Sequence, residues 1–255
     1  MSDFNRGYAR TIPADRADMS VDAGLRSFML GVYNKVALGL VLSAALAYLT
    51  GQVEAVQQLL YRTAVSPVSG AEVLVGYTAL GWIVAFGPLA VMLFGLVGMR
   101  NATPRTSGIY YWTIVALIGA SLGAITLVYT GASIFKTFLI TAAAFGALSL
   151  FGYTTKKDLT GFGSFLLVGL VGILLAGLVN VFLRSPMIDF VVSVLGVLIF
   201  AGLIAYDTQR LKMTYYELGG NQSAMGVATN YGALSLYLDF INLFTFLLRL
   251  FGDRR

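Results

Sequence analysis

The feature that most constrains this chain is a succession of apolar runs, at about 29–50, 73–99, 109–130, 133–153, 162–183, 188–210 and 227–251, with short polar breaks between them. A helix that crosses a bilayer needs about 20 apolar residues, so the runs predict seven spanning helices and leave no length for a separate soluble catalytic domain. Strands half-exposed to water would alternate apolar and polar residues, and these runs do not. The expected fold is an all-α membrane protein, a seven-transmembrane-helix bundle over 28–255 preceded by a polar cytoplasmic N-terminal tail over 1–27. The tail has no apolar stretch followed by a small-residue cleavage site, so it does not read as a secretory signal. The longest break, 51–72, carries Gln52, Glu54, Gln57, Gln58, Arg62 and Pro67 and is expected to hold a short surface helix.

Composition narrows the chemistry. Apolar residues make up 58% of the chain and charged residues 11%, a balance suited to lipid rather than water. There is no cysteine and no histidine, which removes disulfides, thiolate nucleophiles, imidazole bases and the usual zinc sites together. No enzymatic activity and no cofactor is expected. The net charge of +5 sits in short loops between apolar runs and so reads as a topology signal, not as a nucleic-acid surface. Eleven Lys and Arg fall on the N-terminal side of the membrane against six on the other, which puts the N-terminus in the cytoplasm. Three of those six lie at the C-terminus, from Arg249 to Arg255, so six spans with a partial last helix is the alternative to seven. Gly119 and Gly123 form a GxxxG pair and Ala142 with Gly146 a small-xxx-small pair; both read as bundle packing before dimerisation, leaving monomer and homodimer open.

Ionisable groups inside a bilayer are costly and imply a partner or a water-filled path. Only two acids, Asp207 and Asp239, fall well inside apolar runs. In the last run Tyr231, Ser235, Asp239, Asn242, Thr245 and Arg249 recur at steps of three and four, which keeps them on one helical face. Such a face has to line other helices or water, and it is read as a pore stripe or a buried polar seam. In the sixth run Asp189, Ser193, Gly196, Phe200, Leu203 and Asp207 share a face whose polar ends flank an apolar middle. Phe200 and Leu203 are the candidate constriction of a gate closed by dewetting, or ordinary core residues. Asp207 and Asp239 lie at depths that helix tilt can reconcile, and Arg100 is the cation expected to reach between them. Two carboxylates sharing a site cannot both ionise cheaply, so the trio would act as a proton-sensitive latch. With Asn242 the two carboxylates could also offer a weak Ca²⁺ site.

The last run, Ala233-Leu-Ser-Leu-Tyr-Leu-Asp239-Phe-Ile-Asn242-Leu-Phe-Thr-Phe-Leu-Leu-Arg249, closely resembles the C-terminal motif of the Bax inhibitor-1 family. Tyr206-Asp207-Thr-Gln and Lys156-Lys157-Asp158-Leu also look like that family, and the resemblance runs in order from the second helix to the last. It implies a seven-helix bundle with the last helix central, as in bacterial members, and a pH-sensitive calcium leak latched by two aspartates and an arginine. Matched by position, these are Asp207, Asp239 and Arg100, the last resting on its place after Gly98-Met99. Ca²⁺ would be the permeant ion. The lipid bilayer is the expected surrounding, in a bacterial inner membrane.

Two other functions compete. One is a regulatory membrane protein that binds or modulates a membrane-bound protease or other membrane proteins through its N-terminal tail. The other is an intramembrane aspartyl protease, since Tyr206-Asp207 and a second membrane aspartate loosely resemble the presenilin arrangement; the GxGD expected there is replaced by Leu236-Tyr237-Leu238-Asp239.

Overall fold

A computed structural model describes residues 23–65, 70, 72–99 and 101–255. Helix α1 (Ala23–Gln52) begins inside the stretch expected to be tail, because Leu25 is already fully buried. The short α2 (Glu54–Leu60) is a helix within the 51–72 break. It leads directly into an antiparallel hairpin, β1 (Tyr61–Val65) with β2 (Glu72–Tyr77), in which Tyr61 faces Tyr77 and a bulge falls between Arg62 and Thr63. The run at 73–99, read as one helix, is therefore divided. Val73, Val75 and Tyr77 favour a pleated strand, and the helix α3 (Ala79–Gly98) starts only at the Thr78 cap, whose hydroxyl accepts from the Gly81 N–H. Rings of Tyr61, Tyr77, Trp82 and Phe86 follow one another at 5.6, 5.0 and 5.6 Å and tie the hairpin to α3.

The remaining helices start and stop where their capping residues dictate. Thr103 and Thr106 form a capping box with Pro104 at the first turn, opening α4 (Pro104–Ser121), which continues past Leu122 as α5 (Gly123–Val128). Thr130 caps α6 (Gly131–Thr154). After α7 (Thr160–Leu183), Arg184 turns the chain in the left-handed region and Pro186 starts α8 (Pro186–Glu217). Gly219 and Gly220, both at positive φ, make the tight turn that glycine alone allows without strain, and Asn221 caps α9 (Gln222–Phe251).

Among the described residues six helices are long and apolar enough to cross a membrane: α1, α4 with α5, α6, α7, α8 and α9. The second expected span, at 73–99, corresponds to α3, a shorter apolar helix that carries Pro88 inside it. Phe94, Phe165, Val168 and Phe182 are more than two-thirds exposed, an apolar exterior that water would not tolerate on this scale and lipid would. Helix α9 packs against α1, α4, α6 and α8, so the last helix runs through the middle of the bundle. Its flank carries Leu234, Leu236 and Tyr237 into a core shared with Leu25, Val32, Tyr111 and Ile114. Near its start Asn230 donates to the Pro104 carbonyl at 3.0 Å and to Ser107 at 2.9 Å. Beyond its end the Thr130 N–H donates to the Asp253 carbonyl and the Arg255 N–H to the Val128 carbonyl, both at 3.0 Å.

The GxxxG pair works inside the chain. A methyl group on Gly119 would stand 2.6 Å from the Ser43 Cα, and one on Gly123 would strike Thr50, so both glycines let α4 and α5 close on α1. Gly146 has nothing within reach of such a methyl among the described residues.

Candidate functional site

Asp207 on α8 and Asp239 on α9 face each other across the seam between these two helices. Both are buried, at 5% and 6% exposure. They stand close enough for carboxyl to carboxyl hydrogen bonding, and Arg210 is in electrostatic contact with both. The Oδ1 of Asp207 lies 3.2 Å from the Arg210 guanidinium, and its Oδ2 accepts a short hydrogen bond from the Ser235 hydroxyl. Arg210 Nη2 also donates to Ser235 at 3.3 Å and its guanidinium lies 5.6 Å from the centre of the Tyr206 ring. The Oδ2 of Asp239 is buried with no hydrogen-bond partner among the described residues. One oxygen of a buried pair is thus left over while its neighbour is fully engaged.

Arg100, the cation expected here, lies outside the described residues. Among the described residues the cation beside the pair is Arg210, which sequence reasoning counted only as a loop charge. The signal was present: Asp207 and Arg210 are three residues apart on one helix, a spacing at which side chains meet.

The rest of the polar stripe follows the same face of α9. Tyr231 sits at its rim with its ring 6.2 Å from that of Tyr110. Asn242 and Thr245 are half-buried and donate to carbonyls of their own helix, Leu238 and Ile241, each at 2.8 Å. Arg249 closes the far end with an ion pair to Asp189 at 3.7 Å. Between the two charged ends Phe200 and Leu203 are buried in a cluster with Leu166, Ile199, Leu243 and Leu247, and Phe200 stacks on Phe246 at 5.8 Å. The seam therefore reads polar, apolar, polar from one membrane face to the other.

The Tyr206-Asp207-Thr-Gln motif also has structural work in each side chain. Tyr206 lies against Gly163 of α7, where a Cβ would collide with its ring. Thr208 donates to Ser149 at 3.5 Å, and the Tyr33 hydroxyl joins both. Gln209 clamps the loop between α6 and α7, accepting from the Leu159 N–H and donating to the Lys157 carbonyl, both at 2.8 Å. In that loop the Asp158 carboxylate accepts from Thr160 at 2.8 Å, and these contacts hold it below the usual carboxylate range. Three residues past Gln209, buried Lys212 donates to the Tyr153 carbonyl at 2.9 Å, near the C-terminus of α6.

These features define a polytopic α-helical membrane protein with a carboxylate pair buried at the centre of its bundle. The chain belongs to the Bax inhibitor family: the family model described as inhibitor of apoptosis-promoting Bax1 matches residues 25–255. Among its relatives, a protein of Caulobacter vibrioides is 66% identical over all of both chains. The inner membrane protein YbhL of Escherichia coli is 41% identical over 91% of this chain and 94% of its own. A Rickettsia prowazekii protein is 40% identical over 97% of this chain and 98% of its own.

Proposed function

We propose that this chain is a pH-sensitive cation leak of a bacterial inner membrane, with Asp207 and Asp239 as the latch and Arg210 with Ser235 as the groups that hold it. The observation that carries the reading is the buried, unevenly satisfied pair itself. One proton more or less changes its charge by a full unit. Two unit charges about 4 Å apart interact by about 4 kcal/mol at an effective dielectric of 20, comparable to the cost of rearranging a helix contact. That energy acts across the α8–α9 seam, next to the apolar segment at Phe200 and Leu203. Loosening of the seam would wet this segment and open a path.

Calcium, the favoured ion, enters as the permeant species. A resident Ca²⁺ takes six to eight oxygens, whereas no group of three or more acidic side chains comes together among the described residues, and both oxygens of Asp207 are already engaged. The same engagement disfavours an aspartyl protease, whose two carboxyls must be free to hold a water between them. With the N-terminus cytoplasmic and α3 as a seventh crossing, α9 would end on the opposite face. The test is flux of Ca²⁺ into dye-loaded liposomes across a pH series. The wild-type protein should leak in a pH-dependent manner and Asp239→Asn should abolish that dependence; unchanged flux and pH response in the variant would refute the latch.

A further inference from the structure

At the end of the seam away from the aspartate pair, the α7–α8 turn and the end of α9 line an open cavity of about 400 Å³. Arg184, Arg249 and Arg254 stand in its wall, and Asp189 is the one acid among the lining residues. Asp189 is 3.7 Å from Arg249, and no described carboxylate forms an ion pair with Arg184 or Arg254. Asp253, next to Arg254 in the chain, accepts from the Ser133 hydroxyl at 2.9 Å and is not part of the wall. The wall therefore carries three guanidinium groups against one carboxylate, with Arg254 also lying over the Tyr129 ring at 5.9 Å, at the face of the bundle where the helices end.

Arg184 adds a second, independent observation. Its backbone lies at φ 51° and ψ 34°, and it is the one non-glycine residue at positive φ among the described residues. Glycine serves this helix-ending position without strain, so the turn alone gives no reason for an arginine. What the residue brings is its guanidinium, placed in the wall of the cavity. Strained backbone of this kind points to a use for the side chain it carries.

We infer that this cavity binds a phosphate-bearing anion, held by Arg184 and Arg254 and shared with Arg249. Guanidinium groups match phosphate oxygens in paired, charge-assisted hydrogen bonds, and Ser185 and Asn180 in the wall supply polar surroundings. The phosphate could come from the headgroup of an anionic phospholipid or be free in solution. The inference does not depend on the leak: binding is read directly.

The experiment is native mass spectrometry of the full chain in detergent, titrated separately with phosphatidylglycerol and with inorganic phosphate. The variant pair is Arg184→Gly with Arg254→Gln; the glycine relieves the left-handed turn, so the fold is retained. Lys136→Gln with Lys156→Gln, at two exposed lysines outside the cavity, controls for the loss of two positive charges. The wild-type protein should bind one equivalent of at least one probe, and the cavity double variant should bind at least about tenfold more weakly, the scale of losing one charged hydrogen bond. Retention of the lipid alone identifies a headgroup site, and binding of phosphate a free-anion site; both support the inference. It is overturned if the wild-type protein binds neither probe, if the cavity double variant binds as tightly as wild type, or if Lys136→Gln with Lys156→Gln weakens binding as much.

Discussion

Replacing Arg210 by glutamine isolates the charge that holds Asp207. The guanidinium is half-exposed and the carboxylate almost wholly buried, with 3.2 Å between them. An exposed pair contributes about 0–1 kcal/mol, while removing one partner of a fully buried pair costs about 3–5 kcal/mol. A half-buried geometry falls between, at about 2 kcal/mol. For a chain of this size that is a loss of about 4–8 °C in Tm. The penalty is that of a buried carboxylate left without its counter-charge, so it should vanish when the carboxylate itself is removed. The contact of Arg210 with the Tyr206 ring is lost in either case and leaves a remainder of about 0.5–1 kcal/mol. Thermal unfolding in detergent measures both parts: adding Asp207→Asn to Arg210→Gln should recover most of the loss. No recovery in the double variant would refute the assignment of Arg210 as the counter-charge.

Two further outcomes are expected. Gln209→Ala removes both hydrogen bonds that clamp the α6–α7 loop, about 1 kcal/mol each, and should speed tryptic cleavage after Lys156 and Lys157 in purified protein while the helices stay folded; an unchanged cleavage rate would count against the clamp. Gly152→Ala drives a methyl group into the Ala205 carbonyl and should cost about 1–3 kcal/mol by overpacking, read as a lower Tm. A wild-type Tm would mean that α6 and α8 are not in close contact there.

The helical spans were legible because lipid leaves few alternatives: a run of apolar residues near 20 long has to be a helix when its backbone cannot hydrogen-bond to water. The aspartates were legible by elimination, since no other acid in the sequence falls well inside an apolar run. The hairpin was hidden inside an apolar run, because Val73, Leu74 and Val75 are as compatible with a strand as with a helix and only the cap at Thr78 separates them. Arg210 was missed because a charge at the rim of a run serves equally well as a topology signal and as a partner for a carboxylate one turn deeper. The arginine cavity was not readable at all, for Arg184, Arg249 and Arg254 meet only through the return of α9 to the α7–α8 turn.

The two anchors of α9 have a mechanical consequence. Asn230 ties one end to the start of α4, and the backbone bonds at Asp253 and Arg255 tie the other to the α5–α6 turn. A rod pinned at both ends resists sliding along its length. Helix α7, by contrast, has α8 as its one extensive neighbour among the described residues, so the bundle is tethered most firmly at its centre and least at its α7 edge.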